Sequence, residues 1–304
     1  MNRREFIGSI SAAAFVSCAP PKPRFHVFSK MFQPPVTKSP EALCELFAAA
    51  GCDGIQWTVR KGGHATPENV KTELPRLVKT AAGFGLKCES ICTGITGADA
   101  INGVLSAEAI LKTAADSGIG QFRTGYLFYD EKTETFTQSM ERFRRSFAAL
   151  ASIAERCGIR AAYQNHSTWG PAIFGGTVWD IHECLKDIDP RRVGIEYDPM
   201  HAYFETYESW RHGFALVAPW ISAVDLKDFR YRMDAKKPGM MAKEMVAAGE
   251  GIVPWSEVRD LVAKHGVDPF YILHFEYDFD KNDLAKTVKT EFEVFKRMCA
   301  PGQE

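Results

Sequence analysis

Four stretches in the second half of the chain carry groups that could do chemistry: Gln164 and His166 in YQNH, Asp198 and His201 in YDPMH, Asp225, Lys227 and Asp228 in DLKD, and His274 and Glu276 in HFEYD. Each follows an apolar, strand-like run, so each sits where a strand ends. If these runs are neighbours in one sheet, Gln164, Asp198, Asp225 and Glu276 bring four oxygen donors to one place, which suits a hard divalent cation. Without a cation, three carboxylates so close would repel, and at least one would stay protonated. Glu276 should point inward beside His274, because Phe275 and Tyr277 take the opposite face. Plainer readings stand beside these. Asp198 also fits a solvated Asp-Pro turn, His166 and His274 fit hydrogen-bonded histidines at a core edge, and Asp228 fits a loop or ion-pair role better than a ligand role. Trp57, Trp169 and Trp255 offer faces for stacking on a sugar, or for packing. Arg123 offers a guanidinium to an anionic or polyol oxygen, or to a structural salt bridge.

The elements that must position these groups alternate along the chain. Strands are expected at Arg24–Phe32, Asp53–Val59, Leu86–Ile95, Ile119–Tyr129, Ile159–His166, Val193–Ala202, Ile221–Phe229 and Phe270–Asp278. Between them fall helices capped at Ser39-Pro40-Glu41, running over about 67–84 with a kink or break at Pro75, opening at Ser106, spanning Phe136–Cys157, and lying at 177–188, 207–217, 255–266 and 284–298. In the helix at 136–157, Met140, Phe143, Phe147, Leu150 and Ile153 form one apolar stripe. Residues 230–248, with Lys236, Lys237, Pro238 and Gly239, are expected to be an insertion loop. Eight strands alternating with eight helices is the pattern of a (β/α)8 TIM barrel, in which active-site groups come from the C-terminal strand ends. A doubly wound open sheet is the alternative, but Ser29-Lys30-Met31-Phe32 after the first strand lacks the glycine fingerprint that fold uses.

The 304 residues, 45% hydrophobic and 25% charged, are enough for one large barrel, expected over 20–304. A formal net charge of −1 gives no support for a nucleic-acid surface or for binding to anionic lipid. Residues 1–19 read as a targeting segment, with a twin-arginine-like Arg3-Arg4 ahead of a short run of apolar and small residues. Cleavage after Ala19, or before Cys18 with lipidation of that cysteine, would place the protein in the periplasm or attach it to the envelope. A cytosolic amphipathic N-terminus is the rival reading. The eight cysteines are scattered within element-like runs and form no CxxC, so buried free thiols are expected rather than a disulfide framework.

QNH at 164–166, DPMH at 198–201, DLKD at 225–228, GEGIVPW at 249–255 and FEYD at 275–278 together resemble the sugar phosphate isomerase/epimerase family with the xylose-isomerase-like barrel, over about residues 25–298. That family's usual metal set is Glu, Asp, His and Glu. The resemblance implies Gln164, Asp198, Asp225 and Glu276 as ligands, with His201 and Lys227 touching substrate. Two positions depart from the pattern: glutamine replaces a glutamate and aspartate replaces the histidine. The formal ligand charge is unchanged, but loss of the imidazole makes the set all oxygen and favours magnesium, manganese or calcium over zinc. Gln164 cannot act as a base, so the two-glutamate proton shuttle the resemblance implies is not available. Glu276 is then the expected base, with His166, His201 or Lys227 handling the second proton. Isomerisation or epimerisation of a small carbohydrate is the first expectation. A lyase or hydratase acting on a keto sugar or 3-keto-glycoside is the second, and a carbohydrate-binding protein without catalysis the third.

Overall fold

Short runs of β-branched and aromatic residues form eight parallel strands: β1 (Arg24–Phe28), β2 (Gly54–Val59), β3 (Ser90–Thr93), β4 (Gln121–Arg123), β5 (Arg160–Gln164), β6 (Val193–Tyr197), β7 (Ile221–Leu226) and β10 (Phe270–Leu273). The computed structural model describes residues 22–97, 107–168 and 172–299; the expected targeting segment, Cys18 and Trp169 lie outside the described residues. The strands close in the order β1-β10-β7-β6-β5-β4-β3-β2. This is the expected eight-stranded α/β barrel, and it leaves no open sheet edge.

The helices are α1 (Pro40–Ala50), α2 (Val70–Gly83), α3 (Ala107–Asp116), α4 (Phe136–Cys157), α5 (Val178–Leu185), α6 (Pro199–Thr206), α7 (Trp210–Val217), α8 (Trp255–Lys264) and α9 (Leu284–Cys299). Thr135 and Gln138 close a capping box on α4, and its stripe of Met140, Phe143, Phe147 and Leu150 is buried as expected. Pro75 does not divide α2. It lies on an exposed face, so the Lys71 carbonyl it leaves without an N–H partner can turn to water. The main core lies between barrel and helices, whereas the barrel interior is largely polar, with His26, Gln56, Arg123, Glu196, Asp225 and His274 buried. Cys44, Cys52, Cys92, Cys184 and Cys299 are buried free thiols.

Two elements differ from the sequence reading. Residues after β7 form an antiparallel hairpin rather than a loop, β8 (Asp228–Met233) pairing with β9 (Met241–Val246). Both strands are polar on alternate faces and lack a buried apolar stripe, so periodicity hides them; Arg230 and Glu244 form a cross-strand ion pair at 2.9 Å. The strand expected at Val193–Ala202 stops at Tyr197. Asp198 caps α6, accepting the His201 backbone N–H at 3.2 Å, with Pro199 in the first helical turn.

Glu291 on α9 ties the barrel's last helix to the segment after the hairpin. It accepts the Ala248 N–H at 3.1 Å and the Tyr277 hydroxyl at 3.0 Å, and burial raises its pKa to about 7. A carboxyl with a raised folded pKa holds its proton in the native state, so its stabilisation is full below pH 4.5 and is lost as the pH rises through 7. Between pH 5 and 8 the wild type should lose on the order of 1–3 kcal/mol that Glu291→Gln retains. Urea denaturation of both proteins across this range checks it, and parallel pH profiles would refute the assignment.

Candidate active site at the barrel mouth

The two-residue period of the late strands carries the site. Gln164 lies at the end of β5, and Asp198 directly follows β6, with Glu196 two residues earlier. Asp225 lies in β7 and Lys227 follows it, while His274 and Glu276 follow β10. All of these side chains except Glu276 are fully or almost fully buried.

The expected ligands Gln164, Asp198, Asp225 and Glu276 do converge, but hydrogen-bond donors stand between them. The Lys227 ammonium donates to Asp198 Oδ2 at 2.9 Å and to Glu276 Oε2 at 3.1 Å. Gln164 turns its amide nitrogen to Asp198 Oδ2 at 3.1 Å and to Asp225 Oδ2, while the Tyr126 hydroxyl donates to its carbonyl oxygen. Lys30 holds Glu276 Oε1 at 2.9 Å. Burial works against charge on Lys227, yet Asp198, Glu276 and Asp225 together raise its pKa, so it stays protonated. Burial would also raise the pKa of Glu276, but Lys227, His274 and Lys30 outweigh it, and the group is ionised.

Deeper in the barrel lies a second group of titratable side chains. Glu196, which the sequence reading passed over, lies with Asp225 and His274 so that one ligand atom from each falls within 4.8 Å of the others. Asp225 Oδ1 and both ring nitrogens of His274 are buried without a hydrogen-bond partner among the described residues. Arg123 spends its guanidinium on Glu196 at 3.2 Å and lies over the Phe28 ring, so its role is the salt bridge rather than a clamp at the mouth. Burial and the neighbouring Asp225 raise Glu196 to about 8, and burial raises Asp225 to about 6. Of the three carboxylates expected to crowd, Asp198 and Asp225 are raised by burial and Glu276 is lowered. Asp225 Oδ1 and His274 Nε2 lie 3.2 Å apart, while both Glu196 oxygens accept, from Arg123 and Gln56, so the three groups suit a divalent cation once Glu196 turns from those donors.

Neutral imidazoles line one side. Burial, then the Lys227 charge, lowers His166 to about 2 and His274 to about 3, and pushes His201 far down in the same way. The His166 and His201 ring centroids are 3.6 Å apart. Ser167 Oγ lies 2.8 Å from His201 Nδ1 and accepts from Lys243 Nζ. Lysine can only donate, so Ser167 Oγ accepts from it and has its own hydrogen to give; His201 Nε2 lies 3.6 Å from Asp198 Oδ2.

The stacking role expected of Trp57 is not supported. Gln56 takes the inward position on β2, with its amide on Glu196 at 3.0 Å, and Trp57 is fully buried in the outer core against His64. Trp255 packs on Phe295. Asp228 is a loop anchor, as its plainer reading held: its carboxylate accepts four backbone N–H groups, from Phe229, Gly249, Gly251 and Val253. Lys30, Tyr126, Ser167 and Lys243 had no signal in any motif. Glu196 had one, its spacing of two from Asp198 on the same face. A cavity of about 710 Å³ lies on the helical exterior against α2 and α3 and is lined by no barrel strand.

Comparison with known proteins agrees with this architecture. Among curated proteins none matches the sequence. Solved structures of similar fold include D-psicose 3-epimerase from Clostridium cellulolyticum H10 bound to D-tagatose, at 12% identity and TM-score 0.66, covering 91% of this chain and 99% of that one. The 3-keto-D-glucoside 4-epimerase of E. coli is similar at 12% identity and TM-score 0.66, covering 90% and 99%. The probable 3-DHS dehydratase of Bacillus anthracis is similar at 16% identity and TM-score 0.62, covering 88% and 98%. The family model for the xylose isomerase-like TIM barrel matches residues 44–298, and the chain belongs to that family.

Proposed function

We propose that the protein moves a proton beside a carbonyl group of a small carbohydrate, as an isomerase or epimerase does. The observation that carries this reading is the Lys227 ammonium bridging Asp198 and Glu276 at the mouth. A carbonyl oxygen brought there meets a fixed N–H donor that stabilises the charge of an enolate, while ionised Glu276, which is partly exposed, takes the adjacent proton. Gln164 orients Asp198 and Asp225 without exchanging protons itself. The second proton falls to His166 or His201. Where a divalent cation binds, Glu196, Asp225 and His274 would hold it and it would add Lewis-acid polarisation. The two carboxylates suit magnesium, manganese or calcium, and the His274 imidazole suits zinc as well. Loss of water from a keto sugar or 3-keto-glycoside is the second reading, favoured by Gln164 standing where a second base would be needed, and the similar structures include both epimerases and a probable dehydratase. Among the described residues no helix is long and apolar enough to cross a membrane, and export under the Arg3-Arg4 signal remains part of the proposal.

The test is incubation in D2O with a panel of ketoses, aldoses and 3-keto-glycosides, followed by mass spectrometry. One unit of mass gained signals isomerisation or epimerisation, and loss of water signals the lyase. Glu276→Gln should lower either by about 10²–10⁴-fold while folding normally. Full activity in that variant would remove Glu276 as the base, and no reaction with any of the panel would leave the carbohydrate-binding protein as the better reading.

A further inference from the structure

The hairpin β8–β9 is not needed to close the barrel, yet it reaches back over the mouth. Lys243, in the middle of β9, lies half-buried with its ammonium against Ser167 and 4.9 Å from the face of the Phe204 ring. Among the described residues no carboxylate lies within ion-pair distance of it, although other lysines at the mouth are paired: Lys227 with Asp198 and Glu276, and Lys30 with Glu276. A flexible, strongly hydrated ammonium is costly to bury without an anion. The carboxylates of Asp198 and Glu276 are engaged by Lys227 and Lys30, and that of Glu205 accepts the Thr168 N–H at 3.2 Å, so the Lys243 ammonium stands without an ion pair of its own.

We propose that Lys243 is the anchor for an anionic group on the substrate, so that the protein acts on an acidic carbohydrate rather than a neutral one. The hairpin supplies the anchor and the strand ends supply the chemistry, which places the anion on the Ser167 and Phe204 side of Lys227. The substrate class rests on the proposed function, but the anchor itself is a binding claim and can be read without turnover.

Isothermal titration with D-glucuronate, D-glucose 6-phosphate and D-glucose at low salt tests it on the full chain. The wild type should bind at least one of the two anions about 10-fold or more tighter than glucose, and Lys243→Met should bring all three within about 2-fold. Lys243→Arg, which keeps the charge, should restore most of the preference, and raised salt should weaken only the anion. Preference for glucuronate alone assigns a carboxylate, and preference for the phosphate ester alone assigns a phosphate. Equal binding of glucose and both anions by the wild type, or a preference unchanged in Lys243→Met, would overturn the anchor. Anion preference without isotope exchange in any sugar would instead count against the proposed function while leaving Lys243 as assigned.

Discussion

Lys227→Met is expected to lower deuterium exchange into a responsive sugar by about 10³-fold, because it removes the donor that faces the carbonyl oxygen and the ion pair that orders Glu276. The same change should destabilise the fold by about 3–5 kcal/mol. Asp198 is fully buried, and without the ammonium its charge keeps only the Gln164 amide, at 3.1 Å, and the His201 backbone N–H, at 3.2 Å. Lost packing alone would not account for this, since methionine follows most of the lysine stem. The double variant Lys227→Met/Asp198→Asn separates the effects: neutralising the stranded carboxylate should recover much of the stability, read by urea denaturation, and none of the exchange. Lys227→Met alone also tests the cation site at the mouth that the resemblance implies. If Asp198 and Glu276 take a metal, removing the lysine between them should raise the affinity for manganese. If Glu196, Asp225 and His274 take it, the affinity should hardly move. Exchange within 10-fold of wild type in Lys227→Met would remove the ammonium from the proposed chemistry.

What the sequence made legible follows from where periodicity operates. Asp198, Asp225, Lys227, His274 and Glu276 sit at or just beyond strand ends, where side chains alternate between barrel and helix layer, and simple counting finds them. The same counting places Gln56 inside and sends Trp57 to the outer core. Residue type alone suggests stacking at Trp57, but facing decides it. Glu196 was passed over because a carboxylate inside an apolar run reads as an interruption, although its spacing from Asp198 is the signal of a shared face.

The groups contributed by irregular backbone had no such signature. Lys30 lies in a single 3-10 turn after β1, Tyr126 and Ser167 lie in loops, and Lys243 comes from a hairpin whose alternating polar strands bury no apolar stripe. Their positions are set by tertiary contacts between segments far apart in the chain, such as Lys30 with Glu276, and no local pattern records these. The strand ends therefore indicate what chemistry the barrel offers, while the loops that select a substrate become visible only in three dimensions.

Asp228 holds one of those loops in place, and Asp228→Ala should cost about 2–4 kcal/mol, a large fraction of the stability of a typical domain. Its Oδ1 accepts from Phe229 at 2.9 Å and Val253 at 3.2 Å, and its Oδ2 from Gly249 at 3.2 Å and Gly251 at 3.3 Å. Water can replace the carboxylate at Gly249, which is exposed, but much less readily at buried Phe229 and Val253. Asparagine should rescue little, because its amide would turn an N–H toward one pair of backbone N–H donors whichever way it faced. Gly251 explains why this segment needs glycine: a Cβ there would lie 2.0 Å from Asp228 Oδ1 and 2.5 Å from the Phe229 carbonyl. Gly251→Ala must therefore push the segment off its anchor and should reproduce most of the loss. Because β8 begins at Asp228 and the anchored segment follows β9, both variants should also loosen the hairpin that carries Lys243. Hydrogen exchange over residues 228–253 should quicken more than exchange in α4, at the opposite side of the barrel from β10. Denaturation within 0.5 kcal/mol of wild type for Asp228→Ala would show that solvent satisfies these four N–H groups as well as the carboxylate does.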